Sequence, residues 1–139
     1  VLRILSSEQG VKIDSEAVTL EKESTYMQLI SEVKEIPEVM EIVRANYGKK
    51  PMAVASGGTA ETVVGILNHC SIKKYFDIIV TSEDVDNPKP APDTFLEAAR
   101  RMNVAPEKCQ AYEDADMGIK AIIAAGMEAV DIRLMINQN

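Results

Sequence analysis

The sequence predicts an α/β fold, a doubly wound parallel sheet preceded by a helical segment. Three observations carry this. Apolar runs of strand length recur beyond residue 50, as PMAVA, DIIVT, CQAY and EAVDI. Stretches with apolar residues at helical spacing separate them. Ahead of Pro37 the pattern is helical alone. Alternating strands and helices indicate parallel pairing, since each return between parallel strands needs a crossover about the length of a helix.

The first helix is predicted to run from a cap at Asp14 or Ser15 toward Val33. Val18, Met27, Ile30 and Val33 supply a broken apolar stripe, and Glu16, Glu21, Glu23 and Lys34 are expected to face water. Pro37 suits the first turn of a second helix, with Val39, Met40, Ile42 and Val43 inward and Gly48 past its end. PMAVA is the first strand. SGGTAE then turns into a helix carrying Val63, Val64, Ile66 and Leu67. DIIVT is the second strand. Pro92 opens a helix with Phe95, Leu96, Ala98, Ala99 and Met102 expected on its inner face. CQAY, Cys109 to Tyr112, is the third strand. Ala115 to Ala125 is helical with Gly126 as its C-terminal cap, and EAVDI is the last strand. The predicted domain boundary lies near Ile36, with a helical segment over 1–36 and the α/β core over 37–139.

The chain has 139 residues, the size of one domain or slightly more, and is 46% hydrophobic and 27% charged. No apolar run approaches the length of a membrane span, and the first ten residues lack the pattern of a signal peptide. A net charge of −7 disfavours nonspecific contact with nucleic acid or an anionic membrane. It leaves room for a small anionic ligand in a locally positive pocket. Cys70 and Cys109 form no CxxC pattern and read as reduced residues of a cytoplasmic protein.

Ligands of open parallel sheets bind beyond the carboxyl ends of the strands. Three polar clusters fall there. Ser56-Gly57-Gly58 follows PMAVA, Lys89 follows DIIVT and its loop, and Glu113, Asp114 and Asp116 follow QAY. Ser56 can donate to a phosphate oxygen, and Gly57 and Gly58 let a backbone approach it at a helix start. Lys89 is a point charge for a phosphate. Glu113 and Asp114 offer the hard oxygen ligands that Mg²⁺ prefers. Taken singly, each cluster has an ordinary reading: a strand-to-helix turn, a solvated lysine, an acidic helix start. Their occurrence in order at successive strand ends favours a shared site.

Together, Ser56 after its strand, the KPAPDTF segment and EDADMGIKAIIAAGM resemble the haloacid dehalogenase (HAD) superfamily, in particular its sugar-phosphatase and β-phosphoglucomutase branch. The resemblance runs from Pro51 to Arg133. It implies a Rossmann-like core and Mg²⁺-dependent phosphoryl transfer from a small phosphorylated sugar to an aspartate nucleophile, with hydrolysis of the aspartyl-phosphate. Ser56 would bind the phosphate, Lys89 would stabilise the nucleophile and the transferring group, and Asp114 with Glu113 would hold Mg²⁺. Asp116 departs from the family pattern and is expected to cap its helix. The segment before Pro37 is similar to the second half of the family's helical cap, where Lys22 matches a position that reaches substrate in mutase-like relatives.

The family's D-x-D-G-[TV] motif, which carries the nucleophile on a central first strand, does not occur in these 139 residues. Asp84 and Asp86 have the spacing but the wrong context. The resemblance therefore implies a core sheet lacking its first strand, with a gap between the strands that end at Ser56 and Glu113. A further N-terminal segment, a partner chain or rearranged pairing would fill it. Three functions follow: a sugar phosphatase when intact, with this chain alone inactive; a β-phosphoglucomutase-like isomerase; or a catalytically dead phosphate-binding module.

Overall fold

Four parallel strands form among the described residues, but they pair two by two. The computed structural model describes Asp14, Ala17, Val18, Glu21, Ser24, Thr25 and residues 28–136. The chain divides into two compact units, Val1–Val33 and Lys34–Asn139. In the first, the Asp14 carboxylate accepts the Ala17 N–H at 3.1 Å, the expected cap of a helix start. Ala17, Val18, Glu21, Ser24, Thr25, Gln28 and Leu29 are helical, and a 3₁₀ turn spans Ile30–Glu32. Val18, placed by its pattern on an apolar stripe, is exposed. Ser15, Glu16, Glu23, Met27 and the substrate-reaching candidate Lys22 lie outside the described residues.

In the second unit α1 (Pro37–Asn46) opens on Pro37, whose missing N–H costs nothing in a first turn. Met40 and Val43 are its buried residues, and Gly48 follows at a φ of +71°, a conformation that suits glycine. β1 (Ala53–Ala55) leads through the glycine loop into α2 (Ala60–His69). β2 (Ile78–Val80) pairs with β1 in parallel, with Val54 opposite Ile79. α3 (Asp93–Met102) buries Thr94, Phe95, Ala98 and Ala99, whereas Leu96, expected inward, is exposed. β3 (Gln110–Glu113) is shifted one residue from the expected run, so Glu113 itself belongs to the strand. After α4 (Asp116–Ala124) comes Gly126 at a φ of +74°, and then β4 (Glu128–Asp131), parallel to β3. A short helix, α5 (Arg133–Ile136), follows.

The doubly wound sheet is present as two parallel halves, β1–β2 and β3–β4, divided between the strands that end at Ser56 and Glu113 as the missing first strand implied. The helical layer joins them. Phe95 and Ala99 of α3, Ala121 and Ile122 of α4, and Ala125 and Met127 make one buried cluster, on which Ala55 of the first half and Ala111 and Ala129 of the second half pack. Ile122 is fully buried, and each such side chain contributes about 1.5–3 kcal/mol.

The loop after β2 is locked by a capping box. Thr81 N–H donates to Asp84 at 2.8 Å, and the Glu83 N–H donates back to Thr81 Oγ1 at 3.3 Å. Arg101 of α3 ties this turn to the sheet, donating to Asp84, to the Ile79 carbonyl at 3.2 Å and to Glu97 at 2.6 Å. Asp84 is therefore a structural residue. The Arg101 hydrogen bond, followed by those from Thr81, pulls its carboxyl down to about 2. A depressed carboxyl stabilises the fold above its unfolded value near 4 and loses that effect as pH falls toward 2. Asp84→Asn is expected to lower the Tm near neutral pH. In thermal melts run from pH 7 to pH 2, the gap to the parent chain should hold steady above about pH 5 and close below about pH 4.

Candidate functional site

The three predicted clusters meet at the carboxyl rim of the strands, and Lys89 is the point of contact. Its Nζ donates to Glu113 Oε2 at 2.7 Å, at the end of β3, and to the Ala55 carbonyl at 3.3 Å, at the end of β1. The ammonium lies 4.7 Å from the centroid of the Phe95 ring in the first turn of α3, within cation–π range. Lys89 and Glu113 side chains are 17% and 13% exposed, so water screens the pair little. Burial pushes the Glu113 carboxyl up. The Lys89 hydrogen bond and charge, with bonds from Asp114 and the Ala115 N–H, outweigh it and hold the group below the usual glutamate range.

Ser56 follows Ala55 directly. Its N–H donates to the Val80 carbonyl at 2.9 Å, which continues the β1–β2 ladder, and its Oγ accepts the Gly58 N–H at 3.2 Å. Gly57 is exposed, and a Cβ there would meet nothing within 4 Å. Packing does not demand a glycine at 57, which leaves clear space over the loop. At Gly58 a Cβ would press Val63 at 3.3 Å. The loop is pinned from the side: Ser82 N–H and Oγ both donate to the Gly58 carbonyl at 3.1 Å, and Glu83 accepts the Ala60 N–H at 3.2 Å. Ser82 and Glu83 carried no signal in the sequence, because their role depends on β1 and β2 being neighbours.

Glu113 Oε1 accepts the N–H groups of Asp114 and Ala115, both at 3.1 Å. Its two oxygens are thus engaged, one by Lys89 and one by the turn into α4. Asp114 is exposed at the rim. Asp116, expected to cap α4, does not: Ala115 is the N-cap residue, and the Asp116 carboxylate pairs with Arg133 at 2.8 Å. Arg133 also grips Asp131 at 2.7 Å, so Asp116 fastens α4 to α5. Among the described residues, no group of three or more His, Cys, Asp or Glu side chains is placed to hold a metal. The donors fit Mg²⁺ through Asp114, since that ion takes one or two carboxylates and fills its shell with water and phosphate oxygens.

Two residues of the site were missed as functional. A Cβ on Gly118 would overlap the Glu113 carboxylate, so the glycine of ED-x-x-x-G is the space in which Glu113 lies. Phe95 forms the wall behind Lys89. Both letters stand in the motifs quoted above, but only the tertiary contact gives them a task.

This is a parallel α/β domain with a hydroxyl-and-glycine loop, a held ammonium and a carboxylate pair at its carboxyl rim. A family profile described as haloacid dehalogenase-like hydrolase matches residues 4–126, and the chain belongs to that family. It is 42% identical over 124 residues to the fructose-1-phosphate phosphatase YqaB of Escherichia coli, covering 88% of this chain and 65% of that protein. It is 32% identical over 110 residues to a phosphorylated carbohydrates phosphatase of Thermotoga maritima, covering 79% and 50%. Among solved structures, a β-phosphoglucomutase from Clostridium difficile superposes with a TM-score of 0.77 at 29% identity, over 93% of this chain and 60% of that one. The chain therefore spans between half and two thirds of these relatives. No helix among the described residues is long and apolar enough to cross a membrane.

Three variants test the geometry. Lys89→Met leaves a half-buried carboxylate without its cation and should cost about 1–3 kcal/mol in urea unfolding. The double variant Lys89→Met/Glu113→Gln should recover part of that loss. Gly118→Ala must displace Glu113 and should cost about 1–3 kcal/mol by the same measurement, although alanine is the better helix former.

Proposed function

We propose that this chain supplies the phosphate-binding and metal-binding side of a Mg²⁺-dependent phosphoryl-transfer centre that hydrolyses small sugar phosphates. The observation that carries it is the convergence of Lys89, the Ser56 loop and the Glu113-Asp114 turn at one rim. The E. coli and T. maritima relatives, a fructose-1-phosphate phosphatase and a phosphorylated carbohydrates phosphatase, support the substrate class.

Each residue has a task that follows from its position. Ser56 turns its hydroxyl to a phosphate oxygen while the Gly57 and Gly58 backbone approaches the same group at the start of α2. Lys89, an ammonium with three donors, keeps Glu113 and Ala55 as anchors and offers the third to the transferring phosphoryl group, whose charge it offsets. Glu113 orients Lys89, and Gly118 gives Glu113 room. Asp114 holds Mg²⁺, which when bound neutralises phosphate oxygens. Lys22 belongs to the proposed cap segment over 1–36 and would reach substrate from there.

The carboxylate nucleophile implied by the family is not among the 139 residues, so we propose that the chain by itself binds phosphate without turning it over. A segment or chain outside this sequence would bring the nucleophile and complete the sheet. A β-phosphoglucomutase-like isomerase is the second reading, supported by the C. difficile neighbour. Product analysis of the completed enzyme with glucose 1-phosphate separates the two: free phosphate marks the phosphatase, and isomerised sugar phosphate the mutase.

The reading is checked by calorimetric titration of the chain with orthophosphate and Mg²⁺, together with a colorimetric assay on fructose 1-phosphate. Saturable binding is expected, weakened about tenfold or more in Lys89→Met and severalfold in Ser56→Ala, with no phosphate release. Binding indifferent to both substitutions, or turnover by the chain alone, would sink it.

A further inference from the structure

At the end of the sheet opposite the candidate site, a chain that is acidic as a whole gathers cations. α1 ends at Asn46, shortly before β1, and a 3₁₀ turn over Lys73–Tyr75 comes shortly before β2. Both segments therefore lie at the amino end of this parallel pair, whereas Ser56, Lys89 and Glu113 lie at the carboxyl rim. Residues 44–50 and 70–76 carry Arg44, Lys49, Lys50, Lys73 and Lys74 and no Asp or Glu, in a chain with 22 acidic residues and 15 Lys and Arg. Two tyrosines bring the segments together. The rings of Tyr47 and Tyr75 meet edge to face, with centroids 5.1 Å apart. Lys74 Nζ lies 5.2 Å from the Tyr75 centroid. Arg44 has Glu35 and the Tyr75 hydroxyl as partners.

Local needs account for two of these cations. Arg44 donates to Glu35 at 2.7 Å, and Lys49 Nζ donates to the Ala45 carbonyl at 2.9 Å, where a cation complements the C-terminal end of α1. Lys50, Lys73 and Lys74 are exposed and, among the described residues, pair with no carboxylate. Like charges gathered on one face repel, and a partner bearing carboxylates relieves that repulsion. Tyr47, which bridges the two segments, is 53% exposed, and exposed tyrosine beside cations is a composition that interfaces favour. The rings also bear on the class of partner. A nucleic-acid strand is held by bases stacked on open aromatic faces. Here the two rings are turned on each other, Lys74 lies over Tyr75, and a net charge of −7 repels a long polyanion. A short acidic peptide needs neither an open ring face nor a long basic tract.

We propose that this face docks an acidic peptide segment of a partner protein. Carboxylates of the segment pair with Lys50, Lys73 and Lys74, and an apolar side chain between them packs on Tyr47. Each exposed pair is weak alone, so affinity comes from several acting together. The inference rests on a surface away from the rim and does not depend on the phosphoryl-transfer reading. A peptide held here leaves the Ser56 loop and Lys89 open.

The test uses the full chain and a fluorescein-labelled peptide with a Glu-Glu-Leu-Glu-Glu core. A Gln-Gln-Leu-Gln-Gln peptide with the same label is the control. Fluorescence anisotropy should show saturable binding of the Glu peptide, about tenfold or more tighter than the control. Raising NaCl from about 0.05 to about 0.5 M should weaken it roughly tenfold, since salt shortens the Debye length. Amide shift changes in NMR spectra should fall within residues 44–50 and 70–76. Lys73→Gln/Lys74→Gln and Lys49→Gln/Lys50→Gln act on the two segments separately. Each should weaken the peptide about fivefold or more, while the Tm changes little because these side chains are exposed. Should one pair impair folding, the other carries the test. No saturable binding, equal binding of the Gln peptide, or binding indifferent to the lysine variants overturns the proposal. So does tighter binding of a single-stranded DNA oligonucleotide to this face, or self-association of the chain through it, since either names a different occupant. Orthophosphate titration of the same samples keeps the readings apart: phosphate binding without peptide binding refutes the docking face alone, and the reverse refutes the phosphate site alone.

Discussion

The ion pair between Lys89 and Glu113 organises this molecule, because it lies where the two halves of the sheet come nearest to a common site. Lys89 sits on a loop reached from β2, Glu113 ends β3, and the Ala55 carbonyl that shares the ammonium ends β1. Only a long, flexible cation can touch all three, and burial of both partners makes the contact one that neither can leave cheaply. The Phe95 ring closes the fourth side. The ammonium is thus fixed in one place by three groups from three parts of the chain.

That anchoring matters because the strands themselves do not connect the halves. β1 and β2 form one parallel pair, β3 and β4 another, and the link between them is the layer of α3 and α4 with its Phe95–Ile122–Met127 core. Sheet hydrogen bonds are directional and short, so an absent neighbour cannot be compensated by a small shift. Helix packing is more tolerant, since apolar contact is non-directional. A helical layer can therefore hold two half-sheets in place across a slot, and the polar rim can form at its end.

The loops that build the rim are fixed by neighbours in space. The glycine loop after β1 hangs on Ser82 and Glu83 from the loop after β2, which is itself locked by the Thr81–Asp84 box and Arg101. The turn after β3 folds back on Glu113, and its helix is clamped through Asp116 and Arg133. Charges close in sequence therefore do different work: Glu113 holds a lysine, Asp114 stays open to solvent, Asp116 fastens a helix end.

The sequence by itself determined the order and kind of the elements, because apolar periodicity, Pro37 at a helix start and glycines at 48 and 126 are local signals. It also determined that Ser56, Lys89 and Glu113-Asp114 fall at strand ends, and that the D-x-D-G motif is missing. It misjudged Leu96, whose exposure depends on what α3 packs against, and Asp116, whose partner Arg133 lies seventeen residues on. Only the tertiary structure decided that Glu113 faces Lys89, that the helical layer carries both half-sheets, and that Gly118 and Phe95 shape the site. Pairing between strands and contact between side chains distant in the chain follow from how the helices seat the strands, and no stretch of sequence read alone encodes that geometry.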